Sequence, residues 1–444
     1  MLAQESDHLK NVVSDVLARA RSLGIDGAEV SLARERGLSL TLRLSELDTV
    51  AFNQDQTLSI TVYQGQQKGT ASTTDLDSKA IEACLEAARS ISQQIEADPF
   101  AALVEPQYLA KQWVDCDLYH PWSPSVAEAQ VLTQQCEEAA RAVDARIVNS
   151  EGATFSSQDH YQVYGNTHGF LGAYPSTSYS LSAGVVAKEG DAMERDFDFT
   201  VARDPKDLAS SQHVGQTAGR KTVERLHARK IKTTQAPVIF SAEVSSSLVS
   251  HLLGALSGMN LYRKTSFLVD HLDQAIFPSF VQLQAIPHRL KGLGSAPFDA
   301  EGVATQERFL IEAGILRGYI LGSYSARRLG LKTTGNAGGV QNVLFSQTRP
   351  ALDQTALLQA MGRGFLVTEL IGQGVNPVTG DYSRGAFGFW VEHGEIQYPV
   401  HELTLSGNLK QMYQGVVAVG SDVDGRSPIL SPSIWIDRMM LAGL

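Results

Sequence analysis

The chain has 444 residues but only three cysteines, Cys84, Cys116 and Cys136, none in a Cys-x-x-Cys pair. That scarcity excludes a disulfide framework and a cysteine-rich zinc site, and it suits a reducing cytoplasm. Long apolar runs are also missing. No window approaches the roughly 18 apolar residues of a membrane span, and Met1 to Lys10 carries Glu5, Asp7 and His8 where a secretory leader needs a basic end and an apolar stretch. Positive charge is in short supply: 37 Lys and Arg against 48 Asp and Glu leave a net charge of −11. Such a surface repels a phosphate backbone, which argues against direct nucleic-acid binding. A local basic stretch, Arg220, Lys221, Arg225, Arg229, Lys230 and Lys232, reads as a solvated helix face.

The common catalytic signatures are absent too. There is neither Gly-x-Ser-x-Gly nor Ser-x-x-Lys. His401 and Glu402 are adjacent, but Leu405 stands where a zinc-binding helix needs its second histidine, and Pro399 favours a strand or turn there. His251 shares a helix face with Val244, Leu248 and Ala255 and reads as a hydrogen-bonded core or interface group. Gly215 to Thr222 resembles a phosphate loop, with its second glycine one position early and no strand before it. Gly292 and Gly294 lack the third glycine of a dinucleotide fingerprint.

What is present is an ordinary folding composition, 43% hydrophobic and 19% charged, long enough for two to four domains. The patterning predicts an α+β chain of antiparallel or mixed sheets with flanking helices. An N-terminal α+β domain spans 1–98. Its first helix carries the stripe Leu9, Val13, Val16, Leu17 and Ala20 and stops at Gly24; alternating strands follow, with a hairpin turn at Gly65, then a helix near 78–95. Pro99, Pro106, Pro121 and Pro124 mark 99–124 as a connector. A middle domain, 125–232, opens with the capping box Ser125 and Glu128; Asp204 and Pro205 predict the start of a second helix reaching about Arg229. A larger β-rich domain fills 233–444, with a hairpin across Gly314 and long loops at 322–342 and 372–385.

Those loops gather Tyr324, Arg327, Thr334, Asn336, Asn376, Asp381 and Arg384, a set that can hold peptide backbone or simply stabilise tight turns. The runs Ser323 to Gly339 and Val375 to Gly388 resemble the TldD/PmbA family. The similarity extends through Leu261 to Phe267, Gly292 to Thr305, Gly394 to Pro399 and Glu402 to Leu409, and it is greatest to the PmbA branch, also called TldE. The resemblance implies a cytosolic metallopeptidase built from two related subunits and acting on small or unfolded peptides, under the older name modulator of DNA gyrase. It also implies that zinc belongs to the TldD-type partner, held by a His-Glu-x-x-x-His helix and a cysteine near the C-terminus. Here Val249, Ser250 and Gly254 stand at the helix positions, and no cysteine follows Cys136. A chain without those imidazoles, thiolate and carboxylate neither holds zinc tetrahedrally nor activates its water.

The expectation is therefore a subunit with no cofactor of its own and no catalytic residue, partner to a zinc-bearing TldD-type chain and helping to enclose an extended peptide. Tyr324, Arg327, Asn336, Asn376 and Arg384 are its candidate substrate or partner contacts. The rival expectation is a homodimeric peptide-binding scaffold without a peptidase partner. A third makes the chain a peptidase alone, through ligands such as His271, His288, Glu392 and His393.

Overall fold

The computed structural model describes residues 2–444. The first part runs α1 (Leu2–Ser22), β1 (Gly27–Arg43), β2 (Glu46–Gln64), β3 (Gln67–Thr73) and α2 (Ser78–Gln94). Leu9, Val13, Val16, Leu17 and Ala20 of α1 are buried, and Gly24 ends the helix in a left-handed conformation at φ +68°. Gly65, at φ +60°, turns β2 into β3 as its position predicts. After a connector that holds only a 3-10 turn at Pro106–Tyr108 come α3 (Val126–Arg141), β4 (Ile147–Asn166), β5 (Leu171–Glu189), β6 (Ala192–Ala202) and α4 (Ser211–Glu224). The capping box opens α3: the Ser125 hydroxyl accepts from the Glu128 amide, and the Glu128 carboxylate accepts from the Ser125 amide.

These strands form one antiparallel sheet, ordered β3-β2-β1-β4-β5-β6. The connector 99–124 separates two helix pairs along the chain, yet it does not divide the sheet, because β1 pairs with β4 from Glu29↔Asn166 to Leu42↔Ala153. Alternation along β1 explains how one sheet serves both pairs. Val30 and Leu32 pack under α1 and α2, whereas Leu38, Leu40 and Leu42, on the same face, pack under α3 and α4.

The middle of the opposite face is small and mostly polar from β2 to β5 and apolar at β6. One rung reads Ala51, Ser39, Ser156, Ser180, Val201 across β2, β1, β4, β5 and β6, and the next reads Thr49, Thr41, Thr154, Ser182, Phe199. Thr41 and Thr154 join their hydroxyls at 2.9 Å, and Ser39 and Ser156 at 3.3 Å. At the far end of this face an aromatic cluster of Tyr164, Phe170, Tyr174 and Phe298 seats the C-terminal part against the sheet.

Two expectations need correction. Asp204 and Pro205 start only a 3-10 turn at Pro205–Asp207; α4 begins at Ser211, capped by the Ser210 hydroxyl. Asp204 instead accepts from the Lys206 amide and from the Lys291 ammonium, so its carboxylate closes a local turn and a distant ion pair. The helix also stops at Glu224, and His227 takes a left-handed φ of +61°. The phosphate-loop look-alike lies within α4 and has a packing cause: a Cβ on Gly215 would come within 2.1 Å of the Cys136 carbonyl oxygen, and one on Gly219 within 2.5 Å of that of Ala140. Glycine lets α4 lie directly on α3.

The C-terminal part runs β7 (Thr234–Phe240), α5 (Ala242–Leu256), α6 (Gly258–Tyr262), β8 (Val281–Ala285), β9 (Arg308–Glu312), β10 (Ile315–Leu316), α7 (Ser323–Arg328) and β11 (Val343–Gln347). It continues through α8 (Gln354–Met361), β12 (Gly364–Ile371), β13 (Asp381–Glu392), β14 (Glu395–Asn408), α9 (Leu409–Gln414), β15 (Val416–Val419), β16 (Ile429–Leu430) and β17 (Ile434–Ala442). A mixed sheet of order β14-β13-β12-β7-β17-β15 faces a second of order β10-β9-β8-β11-β16, with the apolar side of α5 in the shared core. The predicted hairpin across Gly314 is present, although its second arm, β10, is only two residues long. No helix among the described residues is long and apolar enough to cross a membrane.

Candidate functional site

The helix that the resemblance singles out is α5. Val249 is 2% exposed and lines a small apolar cavity with Leu248, Leu252, Phe277, Phe345 and Tyr413. Ser250 and Gly254 lie on the exposed side of the helix. An isopropyl group in the core, a hydroxyl in solvent and a bare Cα do not make a zinc site. The cysteines are buried among apolar neighbours in the first half of the chain, where burial pushes the Cys116 thiol up to about 11 and that of Cys136 to about 12. Among the described residues no three His, Cys, Asp or Glu side chains gather as metal ligands. His271 Nδ1 faces the Val269 carbonyl, His288 Nε2 faces the Thr305 hydroxyl, and Glu392 accepts from the Trp390 indole, so that proposed ligand set is dispersed.

The five candidate contact residues divide sharply. Tyr324, on α7, donates its hydroxyl to Asp98 at 2.7 Å. Arg327, one turn on, pairs with Glu105 and donates to the carbonyls of Phe100, Ala102 and Leu103. Arg327 therefore straps the connector, and Tyr324 the residue just before it, to the C-terminal part. Asn336 is buried; its carbonyl oxygen accepts from Arg308 and Thr334, and its amide donates to Gln341. Asn376 accepts from the amides of Val378 and Thr379, closing its own turn. Arg384, on β13, makes one long bond to the Leu370 carbonyl at 3.4 Å, and its Nε–H has no partner.

Much of the basic stretch is consumed internally. Arg225 reaches Asp196 at 3.1 Å and Glu369 at 2.5 Å while its guanidinium lies 3.8 Å from the centre of the Phe387 ring. Lys221 bridges Asp198 and Glu243, and Lys230 meets Glu402. These pairs tie the middle strands to the C-terminal part and leave little free charge for a polyanion.

Two features escaped the sequence. Asp299, 4% exposed, accepts from the amides of Glu301, Val303 and Ala337; burial, aided by the nearby Glu301 carboxylate, pushes its pKa up to about 7. Glu301 is raised by burial as well and accepts from the Ser323 amide and hydroxyl at the start of α7. The second is His251 beside Tyr382, ring centres 6.2 Å apart and nearly perpendicular. Burial, then the Arg384 charge, lowers the His251 pKa; burial raises Tyr382 to about 12. Tyr382 and Arg384 are two apart on β13, and that period alone could have placed them on one face.

Comparison with known proteins follows the same order along the chain. Family models for PmbA/TldA metallopeptidases match domain 1 over residues 28–92, the central domain over 119–226 and the C-terminal domain over 233–443. The Escherichia coli O157:H7 protein named Metalloprotease PmbA is 46% identical over 98% of this chain and 96% of its own. The chain belongs to the TldD/PmbA family. As a TldD/PmbA protein it is also 44% identical to a PmbA homologue of Haemophilus influenzae, over 100% of this chain and 98% of that one. A Bacteroides thetaiotaomicron structure named for DNA gyrase modulation superposes with a TM-score of 0.93 at 27% identity, covering 99% of each chain. TldE from Thermococcus kodakarensis shares the fold, with a TM-score of 0.83 at 21% identity over 97% of this chain and 100% of that one.

Proposed function

We propose that this TldD/PmbA chain is the zinc-free subunit of a cytoplasmic two-subunit peptidase that processes or degrades unfolded peptides, with zinc supplied by a TldD-type partner. The observation that carries the reading is the surface of α5, where Val249 faces the core and Ser250 and Gly254 offer no imidazole or carboxylate. The substrate side is supported by the two small polar rungs on the helix-free sheet face. From β2 to β5 the Ser, Thr and Ala side chains of these rungs leave room for an extended chain, and their hydroxyls are able to bond main-chain groups without selecting a sequence. On this reading the sheet face forms one wall of a chamber closed by the partner. Relatives named metalloproteases fit a subunit whose family membership outlasts its own chemistry.

The test is reconstitution. The pure chain should carry well under one zinc by elemental mass spectrometry and cleave no unfolded peptide, whereas adding a TldD-type subunit should give cleavage that neither chain shows alone. About one zinc per isolated chain would overturn the proposal, as would an active partner indifferent to this chain. A stable homodimer that binds peptide and ignores the partner would favour the scaffold instead.

A further inference from the structure

At the junction of α5 and β13, three neighbouring polar side chains each carry an atom without a hydrogen-bond partner among the described residues. Tyr382 is 1% exposed and its hydroxyl donates to no acceptor, while the Arg384 guanidinium lies close enough to favour its charged form. Arg384 Nε–H is unpartnered, and among the described residues no carboxylate pairs with Arg384. His251 Nε2, from the facing helix, is likewise buried without a partner. His251 and Arg384 are each half-buried, and Tyr382 is buried beside them.

Proteins rarely leave such groups idle. An arginine side chain half out of water normally has a counter-ion, and this chain has carboxylates to spare, at 48 Asp and Glu. Arg225 and Arg327 give the contrast: Arg225 has three carboxylates within 3.7 Å, although its own Nε–H also lacks a hydrogen bond, and Arg327 bonds one carboxylate and three carbonyls. Arg384 can only donate, and a neutral Tyr382 hydroxyl is free to donate as well. A neutral imidazole with its proton on Nε2 supplies a third donor. The common acceptor for three neighbouring donors, one of them cationic, is a planar oxyanion.

The geometry points to a carboxylate-binding subsite formed by His251, Tyr382 and Arg384. Its ligand is a peptide carboxylate, either the chain's C-terminal group or an Asp or Glu side chain. The inference rests on the peptide-handling reading only for who carries the carboxylate; the subsite itself belongs to this chain alone.

The test uses the full chain without any partner subunit. N-acetyl-trialanine with a free C-terminus, its C-terminal amide, and the amide of N-acetyl-Ala-Glu-Ala are titrated by calorimetry. The His251 imidazole resonance, assigned with His251→Gln, is followed in parallel by NMR. Binding of the free acid but not its amide, with movement of the His251 resonance, supports a C-terminal carboxylate. Binding of the Glu-containing amide alone supports a side-chain carboxylate. Tyr382→Phe, which keeps the buried ring, should weaken the binding about tenfold, and Arg384→Gln should abolish it. Equal binding of acid and amide, no binding of any of the three, or binding indifferent to both substitutions would overturn the subsite. Because no partner is present, that result would leave the reconstitution experiment untouched, and a failed reconstitution would leave this one standing.

Discussion

Arg327 and Arg384 lie in the two loop-bearing regions that most resemble the family, and both are half-buried, yet their surroundings differ completely. Around α7, Arg327 meets Glu105 and three carbonyls, and Tyr324 meets Asp98, so polar side chains there work as clamps. Around β13, Arg384 has one long bond to Leu370, and its neighbours Tyr382 and His251 have unbonded polar atoms. A half-buried arginine whose bonds are all made is part of the architecture. One whose bonds are not made is available to something else.

Substitutions should separate the two regions. The largest expected effect is Arg327→Ala, which strands Glu105 and three carbonyls; about 3 kcal/mol of stability should be lost by denaturant unfolding, with faster proteolysis in 98–105. Next comes Asp299→Asn beneath α7, whose amide cannot accept all three backbone bonds and should cost about 1–3 kcal/mol. The wild type adds a pH signature. Because the folded pKa of about 7 stands above the ordinary carboxylate value, the contribution of Asp299 is full below about pH 4 and fades as pH rises towards 7. The variant should lose that slope in a comparison of unfolding midpoints between pH 4 and 7.

Smaller still is Tyr324→Phe, where losing the bond to Asp98 should cost about 0.5–1.5 kcal/mol. The smallest effect is expected in the β13 region. Tyr382→Phe deletes a hydroxyl that bonds nothing and should leave stability unchanged or raise it by about 1 kcal/mol. A loss above about 2 kcal/mol there would mean that the hydroxyl has a structural partner after all, and the contrast between the regions would collapse.

Much of this architecture was legible residue by residue where the signal is local. The α1 stripe, the Ser125 and Glu128 box and the Gly65 turn each depend on neighbours within a few positions, and each is present. The resemblance located the family and its three-part layout. What could not be read was pairing at a distance: nothing near β1 announces β4, because an alternating strand fits any partner of matching pattern. Asp204 and Pro205 resembled a helix start because the distant Lys291, which engages the carboxylate, is invisible locally. The same limit explains the loop residues. Tyr324 and Arg327 looked free for a ligand because their partners, Asp98 and 100–105, lie more than 200 positions away.

The pairing of β1 with β4 also bears on how the protein is made. About 100 residues separate Arg43 from Ile147, which at bacterial-like elongation rates corresponds to roughly 5 to 20 s on the ribosome. Through that interval the β1 side of the β1–β2 pair has no neighbour, and Leu38, Leu40 and Leu42 lack α3 for most of it and α4 for all of it. The nascent chain therefore passes through a stage with an open apolar ribbon, which is the period in which a holdase chaperone would find most to bind and in which premature termination would be most costly.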